Sequence, residues 1–295
     1  MNNYHTSVLL QETIEKLQIQ TGKYYIDGTL GGGGHTLEIL NRGGKVLGLD
    51  VDDEALEFVK NELRIKNQEL GKSLILVKGN FKDIDKIAKE QGLDKVGGIL
   101  LDLGISSHHV DSALRGFSFQ KDGPLDMRMD NELGVSAKDL VNGLTKGELI
   151  ELFTKFGEEG FARIISNNIV NARKAKRIET TTELAQIIKR AVPFSKKGIH
   201  PATKAFQALR IAVNDELNVI IEILPKAVKL LESGGRLAVI TFHSLEDRIV
   251  KQQFIEFEKR GLGRIVTKKP IIPTVEEIEA NNRSRSSKLR VFEKV

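Results

Sequence analysis

The sequence of 295 residues contains no cysteine and no tryptophan. The absence of cysteine excludes disulfides and thiolate metal sites, and it suits a reducing cytoplasm, where we expect the protein to act. No apolar run approaches the roughly 20 residues that a membrane span requires. The first residues, Met1-Asn2-Asn3-Tyr4-His5, lack the basic start and the apolar core of a secretory signal. We therefore expect no membrane among the partners of this protein.

The sequence also has little excess charge of either sign. Its formal net charge is +5 and its isoelectric point is about 9.2, which favours a polyanionic partner only weakly. A solvated basic surface would explain the same balance. Hydrophobic residues make up 40% and charged residues 29% of the chain, as in ordinary globular proteins. The length allows two domains, or one domain with a large insertion.

A glycine-rich turn organises the first part of the chain. The apolar run Tyr24 to Ile26 ends at Asp27, and the four glycines from Gly31 to Gly34 precede a segment suited to a helix. Strand, turn and helix in this order form the place where open α/β sheets bind nucleotides. The spacing matches neither the dinucleotide fingerprint nor the P-loop. It is closer to the acid-x-Gly-x-Gly-x-Gly turn that binds S-adenosylmethionine, with Thr29 in place of the first glycine; a glycine turn without a ligand is the alternative.

Three of the first four expected strands are followed by an acid. Asp50 lies near the spacing at which an acid meets a nucleotide ribose, although it could instead cap the helix expected over 53–70. Phe81 follows the third strand and could pack on an adenine or simply in the core. Because the carboxyl ends of parallel strands share one edge, we expect the acids at one ligand-binding rim. The strands are expected at 24–26, 45–49, 74–77 and 96–101, and the acids are Asp27, Asp50 and Asp102.

Helical signals without strand patterns fill residues 106–209. Three segments there resemble capping boxes, at Ser136 to Asp139, Thr145 to Glu148 and Thr180 to Glu183. The βα pattern then resumes, with continuous helical spacing from Phe206 to Leu224. Later segments predict a fifth strand at 236–241 and short β stretches at 264–267 and 288–292. We therefore predict an α/β fold with a helical domain inserted after strand four, and domains at 1–105, 106–209 and 210–295.

Several segments are candidates for contact with RNA. The loop from Arg115 to Asp130 mixes aromatic and basic side chains, which suits an unstacked base, but it could also merely cover the core. The basic run at 173–177 and the basic tail at 282–290 suit phosphates, whereas a solvated face is the usual role of such runs. The candidate residues are Phe119, Arg128, Arg173, Lys174, Arg283 and Arg285.

The six histidines show no recognised metal-binding spacing. His108 and His109 near Asp111 form an incomplete ligand set, so we predict no metal site. No nucleophile elbow and no Ser-His-Asp signature is present.

Taken together, the motifs closely resemble the bacterial ribosomal small-subunit RNA methyltransferase H family, nearly from end to end. The resemblance rests on His5 to Leu10, Asp27 to His35, Leu100 to Ser107, Gly116 to Asp130, His200 to Thr203, Phe206 to Ile211, and Phe242 to Arg248. It implies a class I methyltransferase-type doubly wound sheet and the use of S-adenosylmethionine. It also implies methylation of the N4 amine of a decoding-region cytosine in 16S rRNA within the small ribosomal subunit.

The resemblance further implies which residues contact the cofactor: Gly33, Gly34, His35, Asp50, Phe81, Asp102 and His109. Two positions depart from the family pattern. The chain has His108-His109 where the family commonly has Pro-Gln, and Asn282 stands where a proline is usual.

For the methyl transfer itself, Asp102 is the expected catalytic group, because it follows strand four and could accept a bond from the target amine. His243 is a second candidate, with a helix cap as its alternative role. Two other functions stay open at this point: a nicotinamide-dependent oxidoreductase, and a ribosome-assembly factor that binds the cofactor without catalysis.

Overall fold

The computed structural model describes residues 7–65, 73–104, 112–130, 132–192 and 200–295. The chain separates into two compact units. The first comprises Met1–Ser106 and Leu217–Val295, and the second comprises Ser107–Glu216.

Seven strands of the described residues form the sheet of the first unit, in the order β3-β2-β1-β4-β5-β7-β6. Strands β1 to β5 are parallel, and β7 runs antiparallel to both β5 and β6. The order reverses beside β1, which creates the crevice where such sheets bind ligands. The doubly wound α/β fold is thereby confirmed. The strands are β1 (Tyr24–Asp27), β2 (Lys45–Asp50), β3 (Leu74–Lys78), β4 (Val96–Asp102), β5 (Leu231–Thr241), β6 (Gly263–Ile265) and β7 (Lys288–Lys294).

The helices of the described residues alternate with these strands in the first unit and follow one another in the second. They are α1 (Leu10–Leu17), α2 (Gly34–Asn41), α3 (Asp53–Ile65), α4 (Ile84–Glu90), α5 (Ala137–Gly143), α6 (Lys146–Gly157), α7 (Ala162–Ala175), α8 (Thr181–Ala191), α9 (Thr203–Asn214), α10 (Glu216–Leu230), α11 (Ser244–Lys259) and α12 (Val275–Ala280).

The core of the first unit lies on both faces of the sheet. Neighbouring residues of a strand enter different clusters: Tyr25 and Leu100 pack in one, Ile26 and Leu101 in the other. This follows from the alternation of side chains along a strand, and it explains why the parallel strands are continuous apolar runs. The carboxyl ends of these buried strands are consequently held in fixed positions.

The second unit is helical over its described residues. All three expected capping boxes are present, at the starts of α5, α6 and α8, and each has reciprocal bonds between the cap side chain and the acid three residues later. In α6, Leu149 and Phe153 are fully buried. The sequence signals of this unit are thus local ones that the fold retains.

The second domain boundary differs from the expected one. The helical spacing from Phe206 to Leu224 is not one helix, because Asp215 adopts the left-handed conformation (φ 51°) between α9 and α10. The units divide just after this break, so α9 belongs wholly to the second unit, whereas a boundary at 209/210 would cut it. Apolar residues keep their spacing across Asp215, which hides the break. Beside it, Arg210 donates to Glu216 from Nε at 2.8 Å and from Nη2 at 3.0 Å.

The first helix of the described residues is short. Leu9 and Gln18 have φ of 51° and 52°, and these left-handed residues bound α1 at Leu10 and Leu17. The expected helix over 53–70 is described only to Ile65.

Candidate cofactor site and RNA-contact residues

The glycine turn joins β1 to α2 in very little space. Gly33 has a φ of 73°, and a β-carbon on it would lie 2.7 Å from Val59 Cγ2. A β-carbon on Gly34 would lie 2.2 Å from Ser7 Oγ. Gly33 therefore needs to be glycine for the packing and backbone conformation of the chain itself, and Gly34 has little room for a side chain unless Ser7 moves.

Asp50 links the end of β2 to this turn. Its Oδ2 accepts a hydrogen bond from the Gly31 amide at 2.9 Å, and its Oδ1 accepts one from the Asp52 amide at 3.0 Å. The alternative role of Asp50 as the cap of α3 is wrong, because Asp52 Oδ1 accepts the Glu54 amide at the start of that helix. Asp50 thus holds the glycine turn against β2 with its carboxylate at the carboxyl edge of the sheet.

Asp27 lies at the carboxyl end of β1 as expected, but its side chain is buried. It is 1% exposed, and its carboxylate accepts bonds from Thr36 Oγ1 at 2.7 Å and from the Thr29 amide at 3.3 Å. Burial raises the pKa of Asp27 to about 6. Through these bonds the buried acid links β1 to α2. Its position at the end of a strand did not reveal that its side chain would point into the protein.

Asp102 is the acid with unused hydrogen-bonding capacity. Its amide donates to Thr29 Oγ1 at 2.6 Å, while its buried Oδ1 has no hydrogen-bond partner among the described residues. Burial, and then repulsion from Asp27, raise the pKa of Asp102 to about 7. A buried carboxylate oxygen without a donor is costly, so it is expected where a ligand or a proton completes the site.

Two further expected cofactor residues have side chains engaged with protein. His35 is 5% exposed, and its Nε2 lies 3.2 Å from the Val8 carbonyl oxygen. Phe81 packs, partly buried, against the core cluster and begins a 3₁₀ turn capped by Asn80. His109 lies outside the described residues.

The model of the MraW methylase family matches residues 2–295. The chain belongs to this family. "Ribosomal RNA small subunit methyltransferase H" of Clostridium botulinum (strain Loch Maree / Type A3) is 47% identical, with 99% of each chain covered. The protein of the same name from Carboxydothermus hydrogenoformans is also 47% identical, with 99% of this chain and 98% of that protein covered. A solved rRNA methylase from Streptococcus thermophilus has 11% identity and a TM-score of 0.47, with 98% of each chain covered.

The family is described as a methylase family, and a methylase needs a methyl donor. The residues at the carboxyl edge fit such a group: Asp50 presents a carboxylate beside the glycine turn, and Asp102 offers an oxygen that has no donor among the described residues. No helix of the described residues is long and apolar enough to cross a membrane.

His243 is the N-cap of α11, which is the alternative that the sequence left open for this residue. Its Nδ1 accepts the Glu246 amide at 3.4 Å, and Glu246 Oε2 accepts the amides of Phe242 and His243. The sequence reasoning did not single out Glu246, which is 1% exposed, although its position three residues after a cap was the available signal.

In the second unit, the aromatic and basic candidates make internal contacts. The ring of Phe119 lies 4.5 Å from that of His200 and 4.9 Å from that of Phe206, between centroids. Arg128 binds the Asp126 carboxylate from Nε at 2.7 Å and from Nη2 at 2.9 Å. These contacts place both side chains in a defined loop.

The basic run at 173–177 divides into paired and exposed cations. Arg173 donates to the carbonyl oxygens of Val141 and Leu144, both at 2.6 Å, and so completes the C-terminal end of α5. Lys176 pairs with Glu183. Lys174 is exposed, so it is the member of the run best placed to meet a solvent-borne partner.

The basic tail divides in the same way. Lys288 and Arg290 both bind the Asp247 carboxylate, at 3.2 Å and 2.6 Å. Arg283 and Arg285 lie exposed in the 3₁₀ turn Asn282–Ser286.

Proposed function

We propose that the chain transfers a methyl group from S-adenosylmethionine to the N4 amine of a decoding-region cytosine in 16S rRNA within the small ribosomal subunit. The family match and the names of its 47% identical relatives support an enzyme that methylates small-subunit rRNA. The observation that supports the site most strongly is the buried Asp102 oxygen at the carboxyl end of β4, which has no donor within the part of the chain that the structure describes.

The cofactor contacts follow from the residues at that edge. Asp50 is proposed to accept bonds from ribose hydroxyls, since its carboxylate lies beside the glycine turn at the switch point of the sheet. Gly34 and His35 begin α2 and offer backbone amides, while Phe81 offers an apolar edge. The Gly33 amide donates to the Leu30 carbonyl oxygen at 2.8 Å, so Gly33 is proposed to allow close approach of the cofactor to the turn. When bound, the cofactor supplies an electrophilic methyl group on sulfur.

Asp102 is proposed to act on the target amine. In the transfer, N4 of the cytosine gains the methyl carbon, the bond from that carbon to sulfur breaks, and one N4 proton must leave. The Asp102 carboxylate can accept that proton, and a pKa of about 7 suits a base at neutral pH. The remaining requirement is alignment of N4 with the methyl group, which positioning residues supply.

RNA contacts are proposed for two sets of residues. Lys174, Arg283 and Arg285 are exposed cations that suit phosphates and give salt-dependent affinity. Phe119 and Arg128 lie in a loop whose aromatic and basic character suits an unstacked base. Arg173 is proposed to support this surface indirectly, through its bonds to α5.

Methyl transfer to undermethylated small subunits tests this function. The RNA is digested to nucleosides after the reaction, and N4-methylcytidine is measured by mass spectrometry. Stoichiometric incorporation at one cytosine is expected. Binding of S-adenosylhomocysteine without any incorporation would favour the non-catalytic assembly factor, and binding of NAD instead would favour the oxidoreductase.

A further inference from the structure

A cavity of about 260 Å³ lies between α11 and the β6–β7 edge of the sheet in the first unit. Its apolar wall is formed by Phe254, Ile255 and Ile265, and its polar groups include Lys251, Lys268 and Arg290. We call it the edge cavity. In the sheet order, β6 is four strands away from β1. At about 4.8 Å per strand, the edge cavity is roughly 19 Å from the glycine turn, so it is distinct from the cofactor site.

The cations of the edge cavity have donors to spare. Lys251 and Lys268 are exposed and form no hydrogen bond or ion pair with the described residues. Arg290 is only 6% exposed, and Asp247 engages its Nε at 2.6 Å and its Nη2 at 3.3 Å, which leaves Nη1 available. Asp247 thus compensates the buried guanidinium and holds it at the cavity wall, while Nη1 can still donate to an anionic ligand.

Few acids oppose these cations. Glu258 also lines the cavity, but its Oε1 already accepts the Ile265 amide at 2.8 Å. The segment 259–269, which connects α11 to the strands, contains five basic residues and no acid. The lining thus carries three cations, Lys251, Lys268 and Arg290, and one acid, Glu258, so its charge favours an incoming anion.

We propose that the edge cavity binds one nucleotide of an RNA strand, with its phosphate at Lys251 and Lys268 and its ribose or base against the apolar wall. The volume suits one nucleotide unit, being slightly smaller than typical pockets for whole cofactors. Because the cavity joins lysines to an apolar wall, it matches a phosphate attached to an apolar ring better than it matches inorganic phosphate. This proposal rests on the proposed function for the identity of the RNA, which is the small-subunit rRNA at a distance from the methylated base.

The test measures equilibrium binding of the full chain to fluorescently labelled, undermethylated small subunits across a salt series. The charge variant is Lys251→Glu with Lys268→Glu. The matched control is Arg260→Glu with Lys269→Glu, which makes the same change of charge at exposed residues of the same acid-free segment outside the cavity. A third variant, Ile255→Trp, fills the cavity without changing charge.

The charge variant is expected to bind at least 10-fold more weakly at low salt and to reduce the salt slope by between about 1 and 2, as for two lost phosphate contacts. Ile255→Trp is expected to weaken binding several-fold with an unchanged slope, and the control is expected to remain within about twofold of the wild type. The affinity for S-adenosylhomocysteine, measured by calorimetry, should be the same in every variant and verifies that the first unit is folded.

Equal weakening by the charge variant and its control would overturn the proposal, as would wild-type binding by Ile255→Trp. Uridine monophosphate that binds as tightly as the subunit would also overturn it, in favour of a free nucleotide. Binding is measured without methyl transfer, so the two hypotheses fail separately. If the cavity variants weaken binding but the wild type transfers no methyl group, only the proposed function is refuted. If the wild type transfers methyl groups and the variants bind normally, only the proposed role of the edge cavity is refuted.

Discussion

The acids at the carboxyl ends of the strands and the cations of the second unit can be compared by the hydrogen-bond partners of their side chains. At the carboxyl edge of the sheet, both oxygens of Asp27 accept bonds from protein donors, while one buried oxygen of Asp102 has no donor among the residues described. In the second unit, Arg173 spends its donors on carbonyl oxygens of α5, while its neighbour Lys174 stays exposed. In each region, one residue thus stabilises the fold through bonds to the protein, and a similar residue has a side chain available to a ligand. Charge alone does not separate the two roles; the hydrogen-bond partners do.

The largest expected effect is that of Asp102→Asn on methyl transfer. The amide oxygen cannot take the N4 proton, so we expect kcat to fall by about 10² to 10⁴, the usual range for loss of a general base. The affinity for S-adenosylhomocysteine should change much less. Single-turnover transfer to small subunits and calorimetry measure the two quantities, and an unchanged kcat would remove Asp102 from the chemistry.

The same residue predicts a dependence on pH. Its pKa is raised from 3.8 to about 7 in the folded chain, so the folded state binds a proton more tightly than the unfolded state. Stability should therefore decrease as pH rises between about 4 and 7. Asp102→Asn should reduce this decrease to the part that Asp27 contributes, because burial raises the pKa of Asp27 to about 6. In the wild type, kcat should rise through pH 7 as the carboxylate forms. Chemical denaturation and rates at a series of pH values measure both trends; a stability difference between variant and wild type that is constant over this range would contradict them.

Asp50→Ala tests whether one side chain both stabilises the fold and binds the cofactor. We expect cofactor affinity to fall by about 1–3 kcal/mol, as for lost hydrogen bonds to a charged partner. The Gly31 and Asp52 amides also lose their acceptor, so the free energy of unfolding should decrease as well. Calorimetry with S-adenosylhomocysteine and urea denaturation measure the two losses. Asp53→Ala is a suitable control, because that acid pairs only with exposed Lys78. Unchanged cofactor affinity in folded Asp50→Ala would refute the ribose contact.

Arg173→Ala and Lys174→Ala form a matched pair that should separate support from RNA contact. Arg173→Ala should lower the free energy of unfolding by about 1–3 kcal/mol, because two carbonyl oxygens lose a charged donor. Lys174→Ala should leave stability within about 0.5 kcal/mol but reduce the salt slope of subunit binding by about 1. Thermal or urea denaturation and a salt series measure these effects. A lower salt slope in Arg173→Ala together with a loss of stability in Lys174→Ala would contradict these assignments.

The smallest effect is expected in the tail. Replacing exposed Arg283 and Arg285 by alanine should leave stability within about 0.5 kcal/mol and lower the salt slope by between about 1 and 2. Arg290→Ala is the contrasting variant, because its buried guanidinium holds Asp247 and its loss should destabilise the first unit. The tail prediction fails if the double variant keeps the wild-type slope.

The sequence predicted the elements whose signals are local. Strand positions follow from short apolar runs, and the capping boxes at Ser136, Thr145 and Thr180 follow from two residues three positions apart. The meeting of the glycine turn with Asp50 was predicted because strand-end acids lie where parallel strands end. The motifs of the methyltransferase H family placed the function in the correct class.

The remainder depended on partners far apart in the chain. The break at Asp215 interrupts no apolar spacing, so periodicity could not reveal it. Arg173 bonds to carbonyl oxygens about 30 residues earlier in the chain. A run of basic residues in the sequence does not indicate such partners. The inward turn of Asp27 depends on Thr36, and the edge cavity depends on segments that meet only in the sheet.

The position of β7 has a consequence for how the protein is made. This strand lies between β5 and β6, yet it follows both in the chain. During synthesis, β5 emerges with one edge unpaired, and β6 has no place in the sheet until β7 arrives. Unpaired strand edges recruit other chains, so this interval is when the nascent protein is most open to aggregation. Slow translation across 266–287 would prolong that exposure, whereas the helical unit, encoded entirely before β5, needs no later strand to complete its own core.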